Sequence, residues 1–480
     1  ASSDANVPAY KHRNAVWDGQ AVTLAGARGE TASFQLCIEN TSGQPMALHE
    51  TTASVELKTP RGEAFDPANI DTFKLWYATN RGRQWQPAYC IPQSAEYPAP
   101  RVPDQKLQAL YFDVFIPTSA VPGLYKGTVR VSIPSAMVSG RRVMIDKALP
   151  ITLIVHDFQL PDQLSFWPEL NAYNIPANLH DYHRLAHQNR CVSNYWRLTP
   201  KLIGQGRDTK VVWDEYDKIA GPLLSGEAFK NNRRPGVPVP CMYLPFEDSW
   251  PTPLSPENYS YPAPWPGKGD SRETLARQML EAPYIGDALG RDYIDAFLAV
   301  QKQFIDHFKQ KGWNQTEMQC FYGGKKTHRI DFGINMWWTT DEPYHWDDWL
   351  ALQFFLRLWS QGRGQANPAI WAGRADISRP EWQGTVLDGV VDTVYFGTGA
   401  FSSAPMYRRC RILEQDTGLK VMCYGGANQD NRSNTETLVW MLNAWLNGAN
   451  GVLPWQTLGP DRSLDINDSA TSGNALLVPG

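Results

Sequence analysis

Asp341 and Glu342 stand side by side in the run Trp337-Trp338-Thr339-Thr340-Asp341-Glu342-Pro343, and Trp346 follows shortly after. Carboxylates move protons, and indole faces stack on the apolar faces of sugar rings, so this combination points to glycosidic acid–base chemistry. Helix capping competes with that reading. Acids favour helix N-termini and Pro is tolerated in a first turn, and a periodic apolar run (Trp349, Leu352, Phe355, Leu356, Trp359) begins directly afterwards. The acids therefore sit where a loop hands over to a helix, and the rest of the chain has to decide between the two readings.

A chain of 480 residues is too long for one ordinary core and implies more than one domain. The net charge of −4 gives no electrostatic case for nucleic acid or an anionic membrane surface. No apolar run reaches the length of a membrane span. With 19 Trp, 20 Tyr and 18 Phe the chain is rich in aromatics, more than a core alone requires, and a carbohydrate groove would use the excess. The seven cysteines are scattered and form no Cys-x-x-Cys pair, which removes zinc-ribbon and thioredoxin-like readings. The first residues, Ala1-Ser2-Ser3-Asp4, read as a processed end, so an exported protein is the expectation.

Residues 1–160 alternate with period two. Ala32, Phe34, Leu36 and Ile38 share one face, as do Val129, Val131 and Ile133, and Ile151, Leu153 and Val155. With turns at Ser42-Gly43 and Pro122-Gly123, this predicts an N-terminal antiparallel β-sandwich. From 161 to 480 the rhythm becomes strand, loop, helix. Strands are expected near 165–173, 191–197, 239–245, 317–322, 368–374, 391–397, 419–424 and 450–455. Helical periodicity is clearest at Ile294, Phe297, Leu298, Phe304, Ile305 and Phe308. The pattern fits a (β/α)8 TIM-like barrel, with residues 199–290 expected as long loops over its mouth.

Active sites of such barrels lie at the carboxyl ends of the strands, which nominates the polar residues there. They are Glu169, Asn171, Glu247, Asp248, Asp341, Glu342, Arg374, Asp376, Tyr395, Tyr424, Trp455 and Gln456. No Ser/His or Cys/His nucleophile pattern accompanies them. Plainer readings stand beside these: Tyr395 and Tyr424 as core residues with bonded hydroxyls, Arg374 and Asp376 as a simple ion pair, and Asp347, Asp348 and His345 as solvated helix residues. His180, His183 and His187 have helical metal-ligand spacing, but the pattern places no fourth ligand, so no metal is expected. Gly323-Gly324-Lys325-Lys326 lacks the spacing of a phosphate loop, and no cofactor motif is present.

Over nearly its whole length the chain resembles the family 123 glycoside hydrolases and their uncharacterised bacterial relatives. In the sandwich the likeness lies in Ala27 to Leu36, Pro122 to Val129 and Leu160-Pro161. In the barrel, Thr340-Asp341-Glu342-Pro343 resembles the catalytic Asp-Glu pair; Ala375 to Trp382, Cys423 to Gly426 and Gly451 to Gln456 are similar to the more distant relatives. The resemblance implies a retaining, substrate-assisted β-N-acetylgalactosaminidase with no protein nucleophile. Glu342 would be general acid and then base, and Asp341 would orient the 2-acetamido group. Trp337, Trp338, Arg374, Asp376, Tyr395, Tyr424, Trp455, Gln456 and Glu169 are the expected carbohydrate contacts. Like charges this close should raise one pKa and keep Glu342 protonated. Two alternatives remain open: Glu342 acting with Asp376 or Glu169 on a sugar lacking the acetamide, and a non-catalytic carbohydrate-binding protein. The pair also stands well beyond the strand ending near Tyr322, with Gly323–Asn335 inserted between.

Overall fold

The computed structural model describes residues 11–44, 46–79, 85–95, 102–138, 141–172, 177–195, 198–255, 259, 271, 273–274, 284–325, 337–401, 404–426, 434–455, 457–458 and 476–477. The chain divides into two compact units, Ala1–Asp162 and Gln163–Gly480.

Among the described residues the first unit holds eight strands: β1 (Val22–Arg28), β2 (Thr31–Glu39), β3 (Thr52–Lys58), β4 (Ile70–Thr79), β5 (Trp85–Pro92), β6 (Leu107–Phe115), β7 (Gly123–Val138) and β8 (Arg141–Gln159). They form two four-stranded sheets in the orders β1-β8-β7-β3 and β2-β6-β4-β5. Alternation puts Leu24, Phe34, Val55, Phe112, Val129 and Leu153, drawn from both sheets, into one core. Each such fully buried side chain contributes about 1.5–3 kcal/mol. The expectation of a wholly antiparallel sandwich needs one correction: β1 runs parallel to β8. The chain passes from β1 into β2, which belongs to the other sheet, so no hairpin dictates β1's direction.

The second unit is built on eight parallel strands: β9 (Trp167–Ala172), β10 (Val192–Tyr195), β13 (Cys241–Leu244), β14 (Glu317–Phe321), β15 (Trp371–Ile377), β16 (Thr393–Gly397), β17 (Lys420–Gly425) and β18 (Gly451–Pro454). A short antiparallel hairpin, β11 (Lys201–Ile203) and β12 (Lys210–Val212), stands apart from them. The order β10-β9-β18-β17-β16-β15-β14-β13 makes a nearly closed barrel. No ladder joins β10 to β13 among the described residues; instead the Tyr243 N–H donates to the Asn194 side-chain oxygen at 3.0 Å.

Helices fill most crossovers: α1 (Leu179–Gln188), α2 (Asp214–Leu224), α3 (Ile285–Ala288), α4 (Arg291–Lys311), α5 (Trp346–Arg363), α6 (Thr398–Phe401), α7 (Ala404–Thr417) and α8 (Asn434–Leu446). The 21-residue α4 buries Tyr293, Phe297, Val300, Phe304 and Phe308 at three- and four-residue spacing and ends on Gly312, which supplies the left-handed φ of 74°. The eightfold helix repeat expected from the sequence is incomplete. Between β15 and β16 there is only a 3-10 turn, Pro380–Gln383, because Gly384 and Gly389 take positive φ and interrupt helix growth. No helix follows β18 among the described residues. The described residues within 199–290 include helix and hairpin as well as the expected loops. Val211, Tyr216, Leu223 and Phe229 join the main core, and Trp213 meets Phe304 edge to face at 4.9 Å. Gly221 and Pro222 inside α2 hide its periodicity from the sequence.

Gly127 lies on β7 opposite Leu57, where an added Cβ would stand 1.8 Å from the Glu56 carbonyl oxygen. The obstructing atoms are β3 backbone, which cannot swing aside as a flexible side chain would. Gly127→Ala should lower the urea-unfolding stability by at least about 2 kcal/mol; an unchanged midpoint would show that β3 can move aside.

Candidate active site

A cleft of about 300 Å³ opens at the carboxyl ends of the barrel strands. Asn171, Tyr243, Phe321, Arg374, Asp376, Tyr424 and Leu453 line it from strand ends, and Lys325, Asp341, Glu342 and Trp455 from the loops that follow. Strand geometry explains the floor. Arg374 and Asp376 are two residues apart on β15, so both side chains point into the barrel. Arg374 is fully buried. Its Nε and Nη2 donate to the two oxygens of Asp376 at 2.8 and 2.9 Å, and Nη1 donates to Glu169 at 3.1 Å and Gln319 at 3.0 Å. Its guanidinium also stacks 3.5 Å from the Tyr395 ring centroid, with Tyr243 and Phe321 within 5 Å.

The loop carrying the acid pair is held at four points. The Thr340 and Asp341 N–H groups donate to the Gly324 carbonyl at 2.9 and 3.1 Å, and the Gly324 N–H donates to the Thr340 hydroxyl at 3.0 Å. The insertion after β14 thus leaves and returns at one place, and Asp341 stands effectively at that strand's end. Glu342 donates its backbone N–H to the Asp376 carbonyl at 3.0 Å. Farther on, the fully buried Asp348 accepts from the N–H groups of Thr339 and His345, both at 3.0 Å, which closes a capping box on α5. Asp348 is therefore a buried staple and not the solvated residue expected. It takes the capping role, which leaves Asp341 and Glu342 facing the cleft. Among the described residues Glu342 is one of three non-glycine residues with positive φ, at 59°, a conformation that L side chains adopt only at some energetic cost.

Lys325 joins the two acids: its Nζ lies 3.1 Å from Asp341 Oδ2 and 3.1 Å from Glu342 Oε2. The Tyr424 hydroxyl donates a short hydrogen bond to the other Glu342 oxygen. Burial pushes Asp341 up to about 7 despite the Lys325 ammonium, with Asp376 and Glu342 adding repulsion. Burial acts on Glu342 too, but the Tyr424 and Lys325 donors outweigh it and hold that acid below its ordinary value. In the free site the shared proton therefore rests on Asp341, the reverse of the expected division. The two carboxylates keep Lys325 charged well above its usual range.

The remaining expectations divide clearly. Tyr424, Trp455, Arg374 and Asp376 line the cleft as expected. Trp337 and Trp338 do not: both are buried in the barrel core, Trp337 stacked 5.3 Å from Tyr259 and Trp338 edge-on to Phe355 at 6.1 Å. Trp338 thereby packs the loop against α5. Glu169 and Tyr395 are buried below the cleft and bonded to each other, Glu169 also accepting from Tyr243 and Asn194 at 3.1 Å each. Neither lines the opening. Glu247 and Asp248 also stay outside its lining, and Gln456 lies outside the described residues. The His180 and His187 Nε2–H groups donate to the carbonyls of Ile219 and Val237, and no metal-ligand cluster assembles among the described residues. Lys325 escapes a motif reading, because Gly323-Gly324-Lys325-Lys326 has no phosphate-loop spacing. Its place, four residues past the end of β14, is the signal that nominates it.

No family model matches the sequence, and no curated protein matches it by sequence. Among solved structures the chain is similar to a family 123 glycoside hydrolase from Clostridium perfringens, described in work on glycolipid glycan hydrolysis. The TM-score is 0.54 at 13% identity over 92% of this chain and 74% of that one. The two share a fold. The chitinase ChiW from Paenibacillus sp. str. FPU-7 matches with a TM-score of 0.26 at 11% identity, over 94% of this chain and 55% of that one, and carries no argument.

One carboxyl group should titrate near pH 7, visible by difference infrared spectroscopy. It should vanish in Asp341→Asn and move upward in Lys325→Met, because the ammonium lowers both acids. A wild-type protein with no carboxyl change between about pH 6 and 8 would refute this proton assignment.

Proposed function

We propose that the protein is a glycoside hydrolase acting on a β-linked N-acetylhexosaminide, N-acetylgalactosamine foremost, by a retaining, substrate-assisted route on a (β/α)8-type barrel. The observation that carries the proposal is the Asp341–Glu342 pair in the strand-end cleft, bridged by the Lys325 ammonium at 3.1 Å from each. The fold shared with a family 123 glycoside hydrolase supports the same reading.

The chemistry follows from the proton's position. A bound sugar's 2-acetamido N–H donates to Asp341 and favours its anion, so the proton leaves Asp341. Entry of the glycosidic oxygen beside Glu342 displaces Lys325 from that carboxylate, and Glu342 then accepts the proton. The acetamido oxygen attacks the anomeric carbon as Glu342 protonates the departing oxygen, giving an oxazolinium ion whose N–H stays bonded to the Asp341 anion. Water adds to the anomeric carbon as the ring carbon–oxygen bond breaks, Glu342 takes the water's proton, the acetamide keeps its N–H, and product release restores the free site. Trp455 supplies an apolar ring for the sugar face. A sugar without the acetamide leaves the proton on Asp341, which builds selectivity into the proton equilibrium.

The geometry disfavours the alternative nucleophiles. Both Asp376 oxygens are engaged by Arg374, and Glu169 lies beneath the cleft. An exported location belongs to the same proposal, since polymeric glycans are met outside the cell.

A screen of acetamido and plain aryl glycosides should find turnover of the acetamido compounds alone. Glu342→Gln should lower it about 10²–10⁴-fold, and full activity in that variant sinks the assignment. The alkaline limb of kcat/KM should lie near pH 7, because activity needs the shared proton and declines as Asp341 loses it. Tyr424→Phe should shift the acidic limb upward, since the hydroxyl lowers Glu342; an unmoved limb would exclude Tyr424 from the proton relay.

A further inference from the structure

Four tryptophans among the described residues are exposed: Trp346, Trp382, Trp445 and Trp455. Trp445 belongs to α8, whereas the other three follow the carboxyl ends of β14, β15 and β18. Exposure is unusual for indoles in this region, since Trp337, Trp349 and Trp359 are essentially inaccessible. Trp346 opens α5 four residues after Glu342 and is 58% exposed. Trp382 sits on the 3-10 turn after β15 and is 49% exposed, with the Arg379 guanidinium 4.9 Å from its ring centroid. Arg379 in turn is near enough to Glu342 for its charge to help hold that acid ionised. The stacked pair is thus a neighbour of the acid.

Strand order then separates two aromatic stations. β14 and β15 are adjacent, while β17 and β16 lie between β18 and β15. Trp455 lines the cleft after β18, whereas Trp346 and Trp382 follow β14 and β15, the adjacent strands between which the acid loop runs. A general acid must face the oxygen of the bond it breaks, so the departing sugar lies toward the acid's own loop. Resting on the glycosidase reading, we infer that Trp346 and Trp382 form a second sugar-stacking platform on the leaving-group side. The substrate is then an oligosaccharide or longer glycan, rather than one sugar on a small aglycone. The apolar faces of exposed indoles are poorly solvated in water, and a sugar ring stacked on them would cover that surface.

The test compares two probes cleaved at the same sugar. One is a β-linked trisaccharide ending in N-acetylgalactosamine; the other is N-acetylgalactosaminyl fluoride, whose leaving atom cannot reach the rim. In the double variant Trp346→Ala/Trp382→Ala, the kcat/KM ratio of trisaccharide to fluoride should fall about tenfold, through KM rather than kcat. A ratio within about twofold of wild type overturns the platform. If the wild type turns over neither probe, the proposed function fails and the platform is judged by calorimetric titration with the trisaccharide. Binding about tenfold weaker in the double variant upholds it; equal binding, or none by the wild type, overturns it.

Discussion

The bidentate contact between Arg374 and Asp376, buried at the base of the cleft, is the interaction on which the site depends. One guanidinium ties together β9 through Glu169, β14 through Gln319 and β15 through Asp376, while Tyr243 on β13 and Tyr395 on β16 flank it. Burying ions is costly, and a lone charge left after removing one partner typically costs about 3–5 kcal/mol. Here every donor and acceptor of the cluster has a partner, so the barrel interior resists distortion in the place where sugar would press on it. Asp376 then extends the order upward, because its backbone carbonyl fixes the Glu342 amide.

Above that floor, the acid loop is held in a backbone conformation it would not choose alone. Glu342 keeps a left-handed φ because Gly324, Asp376 and Asp348 hold the chain on both sides of it. The stabilising bonds are spread over neighbours, and the strain sits on the residue that faces the cleft, as is common at sites under functional demand. The proton distribution is set by the same geometry. Among the described residues Glu342 has two close side-chain donors, Tyr424 and Lys325, whereas the more deeply buried Asp341 has the Lys325 ammonium.

The eight barrel strands were legible because each is a short apolar run bounded by turn residues, and the sandwich strands because they alternate. The direction of β1 was not legible, since a strand whose neighbour lies far along the chain carries no local mark of it. The acid pair stood out by adjacency. Trp337 and Trp338 misled for a physical reason: an indole that stacks on sugar and one that wedges a core have the same composition, and burial alone separates them. Lys325 and Asp348 were misjudged because their importance comes from what folds against them, which no spacing encodes. The division of the proton between Asp341 and Glu342 was equally hidden, because two adjacent carboxylates differ only in burial and donors.

The reciprocal bonds between Gly324 and the Thr340–Asp341 backbone close the base of the excursion that precedes the acids. Once a loop is clamped at its neck, its length costs little: doubling the number of residues adds only about 0.6 kcal/mol of closure entropy. The clamp at Gly324 and Thr340 therefore fixes where Asp341 and Glu342 stand, independently of how many residues separate Gly324 from them along the chain.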